Sequence, residues 1–228
     1  MATDVSQATQ IPTALPPDWT LADFQTHFDG IPPERIRMYP PPGTATVADV
    51  LYLDTHHDCH CELIDGVLVE KTMGHFESRL AVVVAFMLER FLDGKGLGVV
   101  YGADAPLRIM PTQVRMPDVC FVRFDRMPGG KLPGEQVPAM VPNLAIEVLS
   151  PGNPPAEMER KLADYFAAGV ELVWYIEPRT RTATVYTAVD RKTDVAADGI
   201  LEGGEVLPGF QLPLKDLFTR AEGTGEPI

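Results

Sequence analysis

Apolar residues recur at helical spacing between His75 and Leu92. Phe76, Leu80, Val83, Val84, Met87, Leu88 and Phe91 form one stripe, and Gly94 ends it. A second helix is predicted from Pro155 to Ala168, stopped by Gly169. Its inward stripe is Leu162, Tyr165 and Phe166, with Lys161 beside it. Between and after these helices the pattern changes to short apolar runs: Gly98 to Tyr101, Leu107 to Met110, Arg115 to Val122, Leu144 to Leu149, Leu172 to Ile176 and Thr182 to Val189. Cys61 to Glu70 reads as a β-hairpin turning at Asp65-Gly66. Thr46, followed three residues later by Asp49, reads as the capping box of a short helix. Val206 to Leu212 reads as a last short strand and docking segment. Helix, strands, helix, strands in this order predict an α/β domain with a mixed sheet.

The N-terminal region differs in texture. Pro12, Pro16, Pro17, Pro32, Pro33 and the run Pro40-Pro41-Pro42-Gly43 break any long helix, leaving room for a short one from Leu21 to Phe28. Residues 1–45 are therefore expected to form an extension laid over the domain. Residues 46–218 are expected to be the ordered domain, and residues 219–228 a flexible tail.

Two of the apolar runs carry a charge. Asp118 follows a proline in Arg115-Met116-Pro117-Asp118-Val119-Cys120-Phe121-Val122, and Glu147 lies in Leu144-Ala145-Ile146-Glu147-Val148-Leu149. A buried carboxylate must be paired or bind a cation. If the two strands pair, the acids stand side by side, and hard oxygen ligands suit Mg²⁺ or Mn²⁺. Lys161 on the next helix completes the parts of a metal-dependent phosphodiester-cleaving site. The residues alone also describe two acids on solvated edge strands and an ordinary surface lysine, which Glu157 bridges at i, i+4.

Length and composition narrow the class. A chain of 228 residues with a 45% hydrophobic fraction builds one large core without staples. No apolar stretch is long enough to span a membrane, and the N-terminus lacks the pattern of a secretory signal. Three cysteines argue against a disulfide framework and fit a reducing cytoplasm. The net charge of -13 opposes broad nucleic-acid affinity, which draws on Lys and Arg. It leaves a local basic face, or cations offsetting the protein's own carboxylates, as the means of approach.

In order, Glu62-Leu63-Ile64-Asp65-Gly66, a helix opened by His75, Arg115-x-Pro117-Asp118-Val119, Glu147-Val148-Leu149-Ser150-Pro151, Lys161-x-x-x-Tyr165-x-x-x-Gly169-Val170-x-x-x-Trp174 and the closing Leu207-Pro208-Gly209-Phe210 resemble the Uma-two family. This is a large, mostly bacterial group of restriction endonucleases, and the resemblance runs from about residue 46 to residue 218. It implies the restriction-endonuclease-like fold, a central mixed sheet flanked by helices, with a variant of the Pro-Asp…(Asp/Glu)-x-Lys motif. Asp118 carries over as the motif's Asp and Glu147 as its second acid. The position of the usual lysine is Leu149, so the lysine role migrates to Lys161. Glu62 carries over as an additional acid beside the metal. Implied with them are a Mg²⁺ or Mn²⁺ cofactor, nucleic acid (DNA first) as substrate, and His75 and Arg115 as candidate substrate-binding residues. A homodimer is compatible with cutting both strands. Two further readings stand beside this one: a nuclease-like binding or regulatory module with weak or absent catalysis, and a phosphodiesterase acting on a small nucleotide.

The segment His56-His57-Asp58-Cys59-His60-Cys61 is dense in metal-binding side chains. It lacks the distant second pair that structural zinc sites use, so it is expected to be a solvated loop before the hairpin.

Overall fold

The computed structural model describes residues 15–16, 18–28 and 30–223. Five helices are labelled in chain order: α1 (Leu21–His27), α2 (Val47–His57), α3 (His75–Leu92), α4 (Pro155–Ala168) and α5 (Leu214–Glu222). The strands are β1 (Ile36–Arg37), β2 (Cys61–Ile64), β3 (Val67–Glu70), β4 (Gly98–Gly102), β5 (Leu107–Met110), β6 (Gln113–Arg115), β7 (Val119–Arg123), β8 (Leu144–Val148), β9 (Leu172–Glu177), β10 (Thr182–Ala188), β11 (Arg191–Val195), β12 (Ile200–Glu202) and β13 (Gln211–Pro213).

A six-stranded sheet, in the order β11-β10-β9-β8-β7-β4, forms the centre. β8 and β9 are parallel and the other neighbours antiparallel, so the sheet is mixed. Alternate residues of its strands feed two cores. Phe121, Leu144, Ile146 and Trp174 pack with α3 and α5 on one face. Cys120, Ala145, Val173 and Tyr175 pack on the other face with Met158, Leu162 and Tyr165 of α4. Period-two alternation on a sheet covered by helices on both faces produces this three-layer arrangement.

A five-stranded sheet, β1-β3-β2-β6-β5, is built around the hairpin. Asp65 and Gly66 both have positive φ, +49° and +77°, as a two-residue hairpin turn requires. Thr46 and Asp49 form the expected capping box, but α2 runs on to His57 rather than ending near Leu51.

Three expectations are corrected. The single strand from Arg115 to Val122 is two strands in two sheets. Val114 of β6 pairs with Leu63 of β2, whereas Val119 of β7 pairs with Ile146 of β8. Pro117 has no N–H to give to a ladder, and the chain changes sheet there. The N-terminal extension is less separate than expected, since β1 joins the five-stranded sheet and Phe28, Ile31 and Ile36 are buried against Ile64, Val67 and Val69. Its first 14 residues lie outside the described ones. Residues 219–222, expected in the tail, lie in α5, where Leu217, Phe218 and Ala221 are buried.

Candidate functional site

The change of sheet at Pro117 brings the charged residues together. The β7–β8 register, Phe121 to Leu144 and Val119 to Ile146, puts Asp118 opposite Glu147 when continued by one step. Both point to the face covered by α4, because Cys120 and Ala145, two residues away on each strand, pack there. Asp118 and Glu147 are each only 5% exposed. The reading of them as solvated strand acids is therefore wrong.

Glu62 arrives from the other sheet. The β2–β6 register places it one step from the Leu63–Val114 pair, opposite Arg115. Arg115 Nη1 donates to Glu62 Oε2 at 2.7 Å, and the Met116 N–H donates to Glu62 Oε1 at 3.0 Å. The second guanidinium nitrogen of Arg115 donates to Asp164 of α4. Arg115 is thus buried and bridged by two carboxylates.

Lys161 stands within the buried stripe of α4, not beside it: Met158, Lys161, Leu162 and Tyr165 are spaced i, i+3, i+4, i+7. Its Nζ lies 2.8 Å from Glu147 Oε1 and 3.1 Å from Glu62 Oε1. The expected bridge to Glu157 does not form. Glu157 instead accepts both arms of Arg35, at 2.8 and 2.9 Å. Tyr165 donates its hydroxyl to Glu147 Oε1 at 2.5 Å.

Two basic residues of the site escaped the sequence reading. Lys71 lies just after β3, and its Nζ is 2.9 Å from Asp118 Oδ1, held by the carbonyls of Met116 and Ala103 at 2.7 and 3.1 Å. Arg35 precedes β1. Its Nε donates to the Glu70 carbonyl at 2.9 Å, next to Lys71. The only sequence signals were a lysine closing the hairpin and an arginine in a proline-rich stretch, neither with a periodic context. His75 is exposed at the first position of α3 and does not line the cavity that the other residues share.

That cavity, about 20 Å³, is lined by Glu62, Asp118, Glu147, Lys71, Lys161, Arg35 and Glu157, among others. It is the size of one water or one ion. Its charges are unevenly shared. Burial works against ionised Glu62, but Lys161, Arg115 and the Met116 N–H hold its carboxyl well below the usual range. Lys161 moves the other way: burial disfavours its charge, yet Glu147 and Glu62 keep the ammonium above its ordinary value. Glu147 carries the residual strain. Burial, together with the Asp118 carboxylate nearby and against the pull of Lys161, raises its carboxyl from 4.5 to about 7.

Among the described residues no group of three or more His, Cys, Asp or Glu side chains forms a ready metal cage. Both oxygens of Glu62 have donors in Arg115, Lys161 and Met116; Asp118 has Lys71 on Oδ1 and the Val148 N–H on Oδ2, and Glu147 has Lys161 and Tyr165 on Oε1. Two carboxylates with the remaining positions left to water suit Mg²⁺, and each Asp118 oxygen keeps a lone pair beyond its one present donor. The elevated Glu147 adds to the fit, since an excess of negative charge relieved by a proton can equally be relieved by a cation.

No described helix is long and apolar enough to cross a membrane. No curated protein matches the chain. A crystal structure described as a putative nuclease belonging to DUF820, from Anabaena variabilis, superposes with a TM-score of 0.64 over 72% of this chain and 92% of its own, at 18% identity. That likeness shows the fold alone: an α/β architecture with a mixed sheet between helices. Residues 47–215 match the family model Uma2, described as "Putative restriction endonuclease". Matched over most of its length, the chain belongs to the Uma2 family of nuclease-like proteins.

Proposed function

We propose that this protein is a divalent-metal-dependent endonuclease that hydrolyses phosphodiester bonds, with DNA as its substrate. The observation that carries the reading is the register-matched pair Asp118 and Glu147, both buried and facing an ion-sized cavity beside Lys161. Asp118 and Glu147 would hold Mg²⁺ or Mn²⁺. When bound, such an ion polarises a phosphoryl oxygen and lowers the pKa of a water. The protein's own groups do the rest. Lys161, kept charged by Glu147 and Glu62, would offset the negative charge that develops on a phosphate brought to the cavity. Glu62 holds Lys161 in place. Tyr165 fixes the rotamer of Glu147. Lys71 balances Asp118 from the opposite side.

Purified protein is assayed with Mg²⁺ or Mn²⁺ on plasmid, single-stranded DNA, RNA and a bis-aryl phosphodiester. Cleavage of DNA by the wild type, reduced about a hundredfold or more in Asp118→Asn, is the expected result. Equal cleavage by wild type and Asp118→Asn on every substrate would contradict it.

One observation favours a second reading, a nuclease-like binding module with weak catalysis: Lys71 and Lys161 already neutralise the acids that a cation would need. Metal binding without turnover in the same assay distinguishes that reading. Sedimentation at assay concentrations tests the homodimer that double-strand cutting would use.

A further inference from the structure

The segment His56 to Cys61 plays no part in the carboxylate site, and the expected solvated loop is only half of what it forms. His56 and His57 end α2 and are exposed. Cys59 and Cys61 are buried, 7% and 1% exposed, with their sulfurs 3.6 Å apart. Arg37 of β1 donates from Nη2 to Cys59 Sγ at 3.2 Å and to Glu70 Oε2 at 2.7 Å. Cys59 lines an open surface pocket of about 670 Å³ with Arg37, Tyr39, Tyr52 and His57. Cys61 lies behind it, in β2 and opposite Glu70.

We propose that Cys59 and Cys61 are a modification site, a dithiol that a hydroperoxide oxidises to an intrachain disulfide. The two thiols are not equivalent. Cys59 lines the pocket, which admits a small oxidant, and lies at 3.2 Å from the Arg37 guanidinium. Burial and the neighbouring Cys59 push the Cys61 thiol up to about 12, so it remains a protonated resolving partner. Geometry permits the bond. The two sulfurs already stand 3.6 Å apart, so a modest side-chain shift brings them to the disulfide bond length of about 2.05 Å. Among the described residues no third His, Cys, Asp or Glu completes a metal site with the pair.

The chemistry balances in two steps. The Cys59 thiolate attacks a peroxide oxygen; an S–O bond forms, the O–O bond breaks, and the leaving alkoxide takes a proton to become an alcohol. Cys61 sulfur then attacks the sulfenic sulfur; the S–S bond forms, the S–O bond breaks, and the hydroxide leaves with the Cys61 proton as water. One hydroperoxide is reduced by two electrons and two thiols are oxidised. Dithiols of this kind in reducing compartments are transient and redox-responsive rather than structural.

The experiment treats the reduced full-length protein with equimolar hydrogen peroxide, then unfolds it, alkylates free thiols and maps the peptides. The expected product has Cys59 and Cys61 unalkylated together, at a mass lower by two hydrogens. Cys120, fully buried, serves as internal control and stays alkylated. In Arg37→Met the same product forms several-fold more slowly. In Cys61→Ser a sulfenic acid accumulates at Cys59 and reacts with dimedone. If Cys61→Ser does not fold, the wild-type map still decides. Unchanged thiols, Cys59 over-oxidised with Cys61 left free, or Cys120 lost as fast as Cys59 would each overturn the proposal.

Discussion

The protein carries two kinds of ion pair, and they are built for different ends. At the surface, Lys192 and Asp194 face each other at 3.9 Å with side chains 57% and 72% exposed, and Arg181 meets Glu222 on α5. Such pairs contribute little, because solvent screens them and the side chains lose entropy on pairing. At the seam between the two sheets, Glu62, Asp118, Glu147 and Asp164 meet Lys71, Lys161 and Arg115 out of water. Desolvating seven charges costs more than apolar packing in the same space would. A fold does not need this arrangement for stability, and the cost points to chemistry.

Charge arithmetic sharpens the contrast. The seam has four acids and three bases, one negative charge in excess, and the excess is expressed at Glu147. Lys192 with Asp194 and Arg181 with Glu222 each match one to one. A surplus carboxylate around an ion-sized cavity supports the proposal that a cation binds there.

The largest expected effect comes from breaking the buried side of the comparison. Arg115→Met leaves Asp164 and half of Glu62 without their counter-charge, and unfolding by urea is expected to show a loss of about 3–5 kcal/mol. A loss below 1 kcal/mol would mean that the cluster is solvated like the surface pairs.

The pH dependence of stability comes next. Glu147 has a folded-state pKa raised from 4.5 to about 7, so its contribution is fully present below pH 4.5 and is lost as pH rises through 7. Glu62 is lowered, so its contribution holds above the ordinary Glu range and is lost as pH falls below it. The wild type should therefore lose stability between pH 4.5 and 7 relative to Glu147→Gln, while the two run in parallel above pH 8. Thermal melts across that range check it, and parallel curves throughout would place Glu147 in water.

The smallest effect belongs to the surface. Lys192→Ala should change unfolding free energy by no more than about 0.5 kcal/mol, and added salt should leave that difference near zero.

How much of this was legible in the sequence follows from the kind of signal each residue gives. Asp118 and Glu147 stood out because a charge inside an apolar run is a local anomaly. Lys161 was legible through the family resemblance and through its place next to a periodic stripe; its bridge to Glu62 depends on how two sheets meet, which no local pattern encodes. Lys71 and Arg35 sit in irregular segments, so nothing in their neighbours marked them. The run from Arg115 to Val122 was read as one strand because its apolar residues continue through Pro117, although a residue without an N–H suits a crossing between sheets. α5 could have been read, since Leu214, Leu217, Phe218 and Ala221 keep helical spacing. The cysteine pair was judged by zinc spacing, which says nothing about two thiols facing each other.

The central claim is that Asp118 and Glu147 together hold one divalent ion. Titration of Mn²⁺ into the protein, followed by electron paramagnetic resonance, tests it directly. The account predicts one ion per chain, bound at least about tenfold more weakly in Asp118→Asn and in Glu147→Gln, and with unchanged affinity in Glu157→Gln, whose carboxylate is committed to Arg35. Equal binding by the wild type and both Asp118→Asn and Glu147→Gln would contradict it.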